Sequence, residues 1–177
     1  MYDYEPVPAD IRKLMLDELQ HDAKQNSLYI NPLLRPESAV RYLPLLLTAL
    51  ETGTPESFAA ALSAADLLQT EQTYTRQGRE VTAKLPANYA MTLAAGEFNR
   101  YYMRAVCCAA IHQAAPAVEI YRAKAVATPR QAADERIGRR IAPDGLLADL
   151  RQTNFERPSQ YRLGAPNSGL SLRIPHN

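Results

Sequence analysis

The stretch Ala87–Gln113, ANYAMTLAAGEFNRYYMRAVCCAAIHQ, sets the reading of the whole chain. Wound at about 100° per residue, it lines up Met91, Ala95, Phe98, Tyr102, Ala105, Val106 and Ala109 on one stripe. The opposite side carries Leu93, Tyr101, Cys107, Cys108 and Ile111, with Met103 between the two stripes. A helix that is apolar all round is one buried among other elements. At about 1.5 Å per residue it would run roughly 40 Å, enough to cross a small domain, and Pro86 and Pro116 bracket its ends. The expected fold is therefore mainly α (α+β): a helical domain around one long buried central helix, with a small β element and extended termini.

Glu97, Arg100 and Arg104 interrupt this apolar surface, and their three- and four-residue spacings put them in one band of the helix. Arginine is rarely buried without a partner. Glu97 can pair with Arg100, but one carboxylate cannot serve two guanidiniums fully, so Arg104 needs another carboxylate, solvent or a ligand anion. One reading is a structural ion pair. The other is an anion site made by Arg100 and Arg104, since the planar guanidinium suits phosphate and carboxylate groups. In that second reading Glu97 is the one candidate for a catalytic acid or base. Gly96 beside them lowers helix propensity and points to a close crossing or a kink.

Working outward, residues 1–8 with Pro6 and Pro8 read as an N-terminal arm. Residues 9–152 read as a single mainly helical domain, and 153–177, with Pro158, Gly164, Pro166, Asn167, Gly169 and Pro175, as a C-terminal tail in which Leu170–Ile174 could form a last strand. A helix is expected over Ala9–Gln25, with Ile11, Leu14, Met15 and Leu19 as its apolar side. A second is expected over Pro36–Glu51, kinked at Pro44. A third opens at Thr54-Pro55-Glu56, an N-cap followed by a first-turn proline and an acidic residue. Thr73–Thr75 and Glu80–Leu85 around Gly78 predict two short strands and a turn. Val118–Val126, bracketed by Pro116 and Pro129, predicts a strand, a helix being the alternative, and the expected β element combines residues near 73–85 with those near 118–126. Gln131–Arg140 predicts a short basic helix and Asp144–Gln152 another.

At 177 residues, 46% hydrophobic and 22% charged, the composition is that of a globular domain. Ten tyrosines against three phenylalanines and no tryptophan is a skewed aromatic set, and tyrosine is common at interfaces. The net charge of +1 argues against a partner held by one strong overall field. Charge is nevertheless uneven, with −3 over residues 1–118 and +3 over 119–140. Adjacent Cys107 and Cys108 cannot form an unstrained disulfide on a helix and read as buried free thiols. The N-terminal MYDYEPVPAD lacks a basic region followed by an apolar run, so no signal peptide is expected, and no stretch reads as membrane-spanning. The expected location is cytoplasmic, or a particle assembled from the cytoplasm.

The chemistry-bearing patterns are sparse. His21, His112 and His176 stand at no metal-ligand spacing, and no phosphate-loop, dinucleotide or serine-nucleophile motif occurs, so neither metal nor cofactor is expected. Cys108 and His112 share an i,i+4 spacing, yet a cysteine nucleophile needs an accessible, electropositive setting. Arg122 and Lys124 alternating on a strand, with Arg136, Arg139 and Arg140 on one side of a helix, could grip a phosphate backbone. Three functional expectations follow. The first is a non-enzymatic structural or interaction subunit of a larger protein assembly, a phage-particle component being one concrete form, with itself or another protein as partner and no membrane. The second is a nucleic-acid or phosphate binder using the 122–140 basic segment. The third is an enzyme on an anionic small molecule using Glu97, Arg100 and Arg104.

Overall fold

The structure is a computed structural model, and it describes residues 2–4, 6–125, 131–154, 157, 159–161, 163 and 168–175. Val126, Pro129 and Arg130 of the basic segment lie outside the described residues, as do Pro158, Gly164, Pro166, Asn167 and His176 of the C-terminal stretch.

The central helix, α4 (Tyr89–His112), is buried on every side from Leu93 to Ala110 apart from half-buried Gly96 and Cys108. It runs unbroken through Gly96. Around it pack α1 (Ala9–Lys24), α3 (Pro55–Ala64) and α6 (Pro143–Arg151), with α2 (Ala39–Glu51) bridging α1 and α3. The core they share includes Met15, Tyr42, Leu46, Leu50, Phe58, Leu62, Leu93, Phe98, Tyr101, Met103, Leu146 and Leu150.

Local chemistry explains the helix ends. Thr54 caps α3 through a reciprocal pair: its hydroxyl accepts from the Ser57 amide at 3.2 Å, while Ser57 Oγ accepts from the Thr54 amide at 2.9 Å. Pro36 does not open an α-helix directly; Pro36–Ser38 form a 3₁₀ turn before α2 begins at Ala39. Pro44 lies inside α2 on its exposed side, opposite the buried Tyr42, Leu46, Ala49 and Leu50, and the helix continues through it. The terminal carbonyls of α2 are capped across space, with Arg12 of α1 donating to Leu50 O and Gly53 O, both at 2.9 Å. Gly53 is required by closeness, since a Cβ there would sit 2.7 Å from Ser57 Oγ and 2.9 Å from Ala49 Cα.

The strands form two separate sheets, which corrects the expectation of one β element. Strands β1 (Glu71–Arg76) and β2 (Arg79–Lys84) pair antiparallel as an isolated hairpin. Strand β3 (Val118–Arg122) is instead the middle of a three-stranded antiparallel sheet, between β4 (Arg140–Ile141) and β5 (Leu170–Arg173). The C-terminal strand, read as tail from sequence, is thus part of the core: Leu170, Ser171 and Leu172 are fully buried. The basic helix expected over 131–140 is also corrected. Helix α5 (Gln131–Asp134) lasts one turn, then Gly138 at φ +82° turns the chain into β4. Pairing with β3 wins there, with Gly138 N donating to Ile120 O and Ile120 N to Arg139 O.

The N-terminal arm is docked. Tyr2 stacks on Tyr4 and Tyr4 on Tyr102 of α4, with ring centroids 4.9 and 3.7 Å apart. Asp3 N donates to Ala123 O, and Tyr121 Oη donates to the Asp3 carboxylate.

Candidate functional site

Arg100 and Arg104 point from α4 into its interface with α1, where Glu18 and Asp22 stand one helical turn apart. Arg104 is held on both sides: Nε donates to Glu18 Oε2 at 2.7 Å, and Nη1 and Nη2 donate to the two Asp22 oxygens at 2.8 Å each. Arg100 Nη2 donates to Glu97 Oε2 at 2.7 Å and to Tyr101 Oη at 3.1 Å, and Nη1 reaches Asp22 Oδ2 at 3.4 Å. Tyr101 Oη donates in turn to Asp22 Oδ2 at 3.0 Å. From the far side Arg151 of α6 closes on Glu18 through Nη2 and Nε at 2.6 and 3.1 Å. Cys108 Sγ donates to Glu18 Oε1 at 3.3 Å. Three carboxylates meet three guanidiniums, so the cluster is neutral as a whole.

Its electrostatics follow from that closure. Burial pushes the Glu18 carboxyl up, but the hydrogen bonds from Arg151 and the charge of Arg104 outweigh it and hold the group down at about 2. Burial opposes the charge on Arg100, yet Glu97 beside it keeps the guanidinium firmly protonated. Burial, with the neighbouring Glu18 charge, pushes the Cys108 thiol up to about 12, and burial raises Cys107 further. A thiol held that way is a poor nucleophile at neutral pH.

The expected site residues are therefore together but enclosed. Glu97, Arg100 and Arg104 expose 1%, 4% and 0% of their surface, and each guanidinium already faces carboxylates of this chain. None of the three clefts formed by residues 120–161, 19–47 and 62–90 is lined by Glu97, Arg100 or Arg104. Among the described residues, no group of three or more His, Cys, Asp or Glu side chains could hold a metal ion, and no helix is long and apolar enough to cross a membrane. Sequence reasoning missed four partners: Glu18, Asp22, Tyr101 and Arg151. It also missed buried Asn99, which donates to Leu170 O at 2.9 Å and accepts from Ser171 Oγ at 2.7 Å, tying β5 to α4.

The basic segment is dispersed. Arg122 pairs with Asp134 and donates to Ser168 O. Lys124 sits 5.4 Å over the Tyr2 ring. Arg140 lies 3.7 Å from Glu119, which also takes Arg173. Arg136 and Arg139 share a recess, a cleft of about 240 Å³ walled also by Ile120, Ala132, Glu135, Gln160 and Tyr161.

The hairpin is the opposite of the charge cluster. No residue from 71 to 84 is buried, and Tyr74 is 42% exposed. Gln77 and Gly78, at φ +51° and +75°, make the two-residue turn with positive φ at both positions that fits the twist of paired strands. One face carries Gln72, Tyr74 and Arg76 with Arg79, Val81 and Ala83, and the other carries Thr73 and Thr82, whose hydroxyls meet at 3.0 Å. The strands pack chiefly on each other. A lone two-stranded ribbon is marginal in water, and its outer edges present unpaired backbone groups. No protein-family model, no curated protein and no solved structure matches the chain.

Proposed function

We propose that the protein is a non-enzymatic interaction subunit that joins a larger assembly through the hairpin Glu71–Lys84. The observation that carries this reading is that hairpin: an ordered ribbon with a well-formed turn, with no buried residue, half-buried only at Gln72, Val81 and Ala83, and packed chiefly on itself. Soluble proteins normally shorten, cover or twist away such edges, and a ribbon left open is suited to strand addition by a partner. Its exposed tyrosine and paired threonines fit an interface. The closed charge cluster supports the same reading indirectly, because it leaves Glu97, Arg100 and Arg104 without access to a substrate.

Excision tests it. Replacing Gln72–Ala83 with a short Gly-Ser turn should lower the mass in solution measured by light scattering, while the thermal midpoint of the remaining domain stays nearly unchanged. Equal masses for the two proteins across a concentration series would overturn the reading. A second reading, phosphate binding, keeps one observation in its favour, the shared cleft of Arg136 and Arg139. Salt-sensitive nucleic-acid binding lost in the Arg136→Ala/Arg139→Ala variant would put it first.

A further inference from the structure

The hairpin's register says more than that an edge is free. Arg76 and Arg79 flank a two-residue turn, so they form a hydrogen-bonded pair, and pairs of that kind alternate along the ladder. Leu85 N donating to Thr70 O at 2.8 Å, six residues further down each strand, has the same phase. The backbone groups of residues 72, 74 and 76 on β1 and of 79, 81 and 83 on β2 therefore point inward. Those of Glu80, Thr82 and Lys84 point outward along the free edge of β2. The close contact of the Thr73 and Thr82 hydroxyls fits a pair without mutual backbone bonds.

We infer that β2 pairs antiparallel with β2 of a second copy of this chain, about a twofold axis at Thr82, giving a four-stranded sheet in the order β1-β2-β2-β1. Only outward-facing residues can lie opposite one another as a hydrogen-bonded pair, which restricts the allowed registers to steps of two. With Thr82 opposite Thr82, Glu80 of each copy faces Lys84 of the other, so the twofold makes two opposite-charge pairs. On the other face Val81 lies opposite Ala83 of the second copy, and the two Tyr74–Val81 pairs join into one apolar strip. Sliding by two residues either way loses both charge pairs. Sliding by four sets Glu80 against Glu80 or Lys84 against Lys84. The edge of β1 has no such register with itself: its outward residues Glu71, Thr73 and Thr75 offer no opposite charge. The interface is isologous, and it closes at two copies.

This inference rests on the assembly reading above, and the test separates them. Glu80→Lys places lysines opposite each other in the homodimer, and Lys84→Glu places glutamates there. Each should raise the dimer dissociation constant, measured by analytical ultracentrifugation, roughly tenfold, since two symmetric cross-strand pairs change from attraction to repulsion. The double variant E80K/K84E should restore it. Mixing the two single variants should give a heterodimer tighter than either homodimer, because both pairs re-form across it. Thr82→Pro removes the central outward N–H and should abolish dimerisation. Thr73→Pro makes the equivalent change on the outer edge of β1 and should leave it intact, which controls for damage to the hairpin itself. Amide exchange at Thr82 in the unmodified chain should slow as concentration rises. If excision of the hairpin lowers the mass but the charge exchanges and the two prolines act alike, the β2 pairing is wrong while the assembly reading stands. If excision changes nothing, both fall. A mass that grows without limit would also overturn the pairing, since joining β1 to β2 of the next copy leaves both ends open.

Discussion

The α1–α4–α6 interface and the hairpin are both rich in charge, yet they treat it in opposite ways. At the interface Glu18, Asp22, Glu97, Arg100 and Arg104 are buried and pair with one another and with half-exposed Arg151, although Arg100 Nε is left without a hydrogen-bond partner. On the hairpin Glu71, Arg76, Arg79, Glu80 and Lys84 are all exposed. Charged residues in a helix interior invite a catalytic reading, but here they complete a fold. The ribbon carries no such cluster, and it is the element through which we propose that a partner is joined. A buried charge cluster paired within its own chain argues for a structural role; an ordered edge with no neighbouring strand is the feature the proposed partner would use.

The largest effect that separates the two regions comes from removing one member of the cluster. Arg104→Met strips buried Asp22 of its two-pronged cation and Glu18 of one of its two, and it should cost about 3–5 kcal/mol of unfolding free energy, read from urea midpoints. Arg79→Met on the hairpin should fall within about 0.5 kcal/mol of the parent. Similar losses at both positions would erase the contrast.

Acid should act on the same region. The Glu18 carboxyl has a folded value of about 2 against an ordinary value of 4.5. A group depressed in this way stabilises the fold fully above its unfolded pKa, and that stabilisation is lost as pH falls from about 4.5 toward about 2. Integrated over the window, Glu18 alone contributes on the order of 3 kcal/mol at neutral pH. Urea midpoints measured between pH 5 and pH 2 should fall steeply in the parent and more shallowly in Glu18→Gln, whose starting stability is lower. Parallel curves would mean that Glu18 is not the group being titrated.

How much of this could be read beforehand depends on the reach of the interaction. The central helix was legible because its apolar residues cover every side of a 3.6-residue period. The hairpin was legible because Thr73-Tyr74-Thr75 and Val81-Thr82-Ala83 flank a glycine. The need of Arg104 for a second carboxylate was also visible, but not its source. A signal existed: Ile11, Met15, Glu18 and Asp22 fall on one stripe of α1, so the two acids continue its buried side and do not belong to its solvent face. Arg151 could not be found this way, since it arrives from another helix more than a hundred positions later. Nor could the end of α5, because local propensity favours helix through Arg140 and pairing with β3 overrides it. The site reading leaned on residue type within one helix, whereas what the residues do was decided by elements far off in the chain.

The smallest effect tests whether the hairpin is independent of the core. Gln77 holds φ +51° at the first turn position, where a side chain other than Asn or Asp is disfavoured. Gln77→Asn supplies the favoured Asn-Gly pair and should stabilise the ribbon by roughly 0.5–1 kcal/mol. The gain should stay local, because the strands pack chiefly on each other. Amide exchange at the inward-facing Gln72, Tyr74, Val81 and Ala83 should therefore slow severalfold, while exchange along α4 and the urea midpoint remain as in the parent. A midpoint that rises with the ribbon would show that the two regions fold as one unit. The hairpin would then have to be explained as part of the core and not as an edge kept for a second chain.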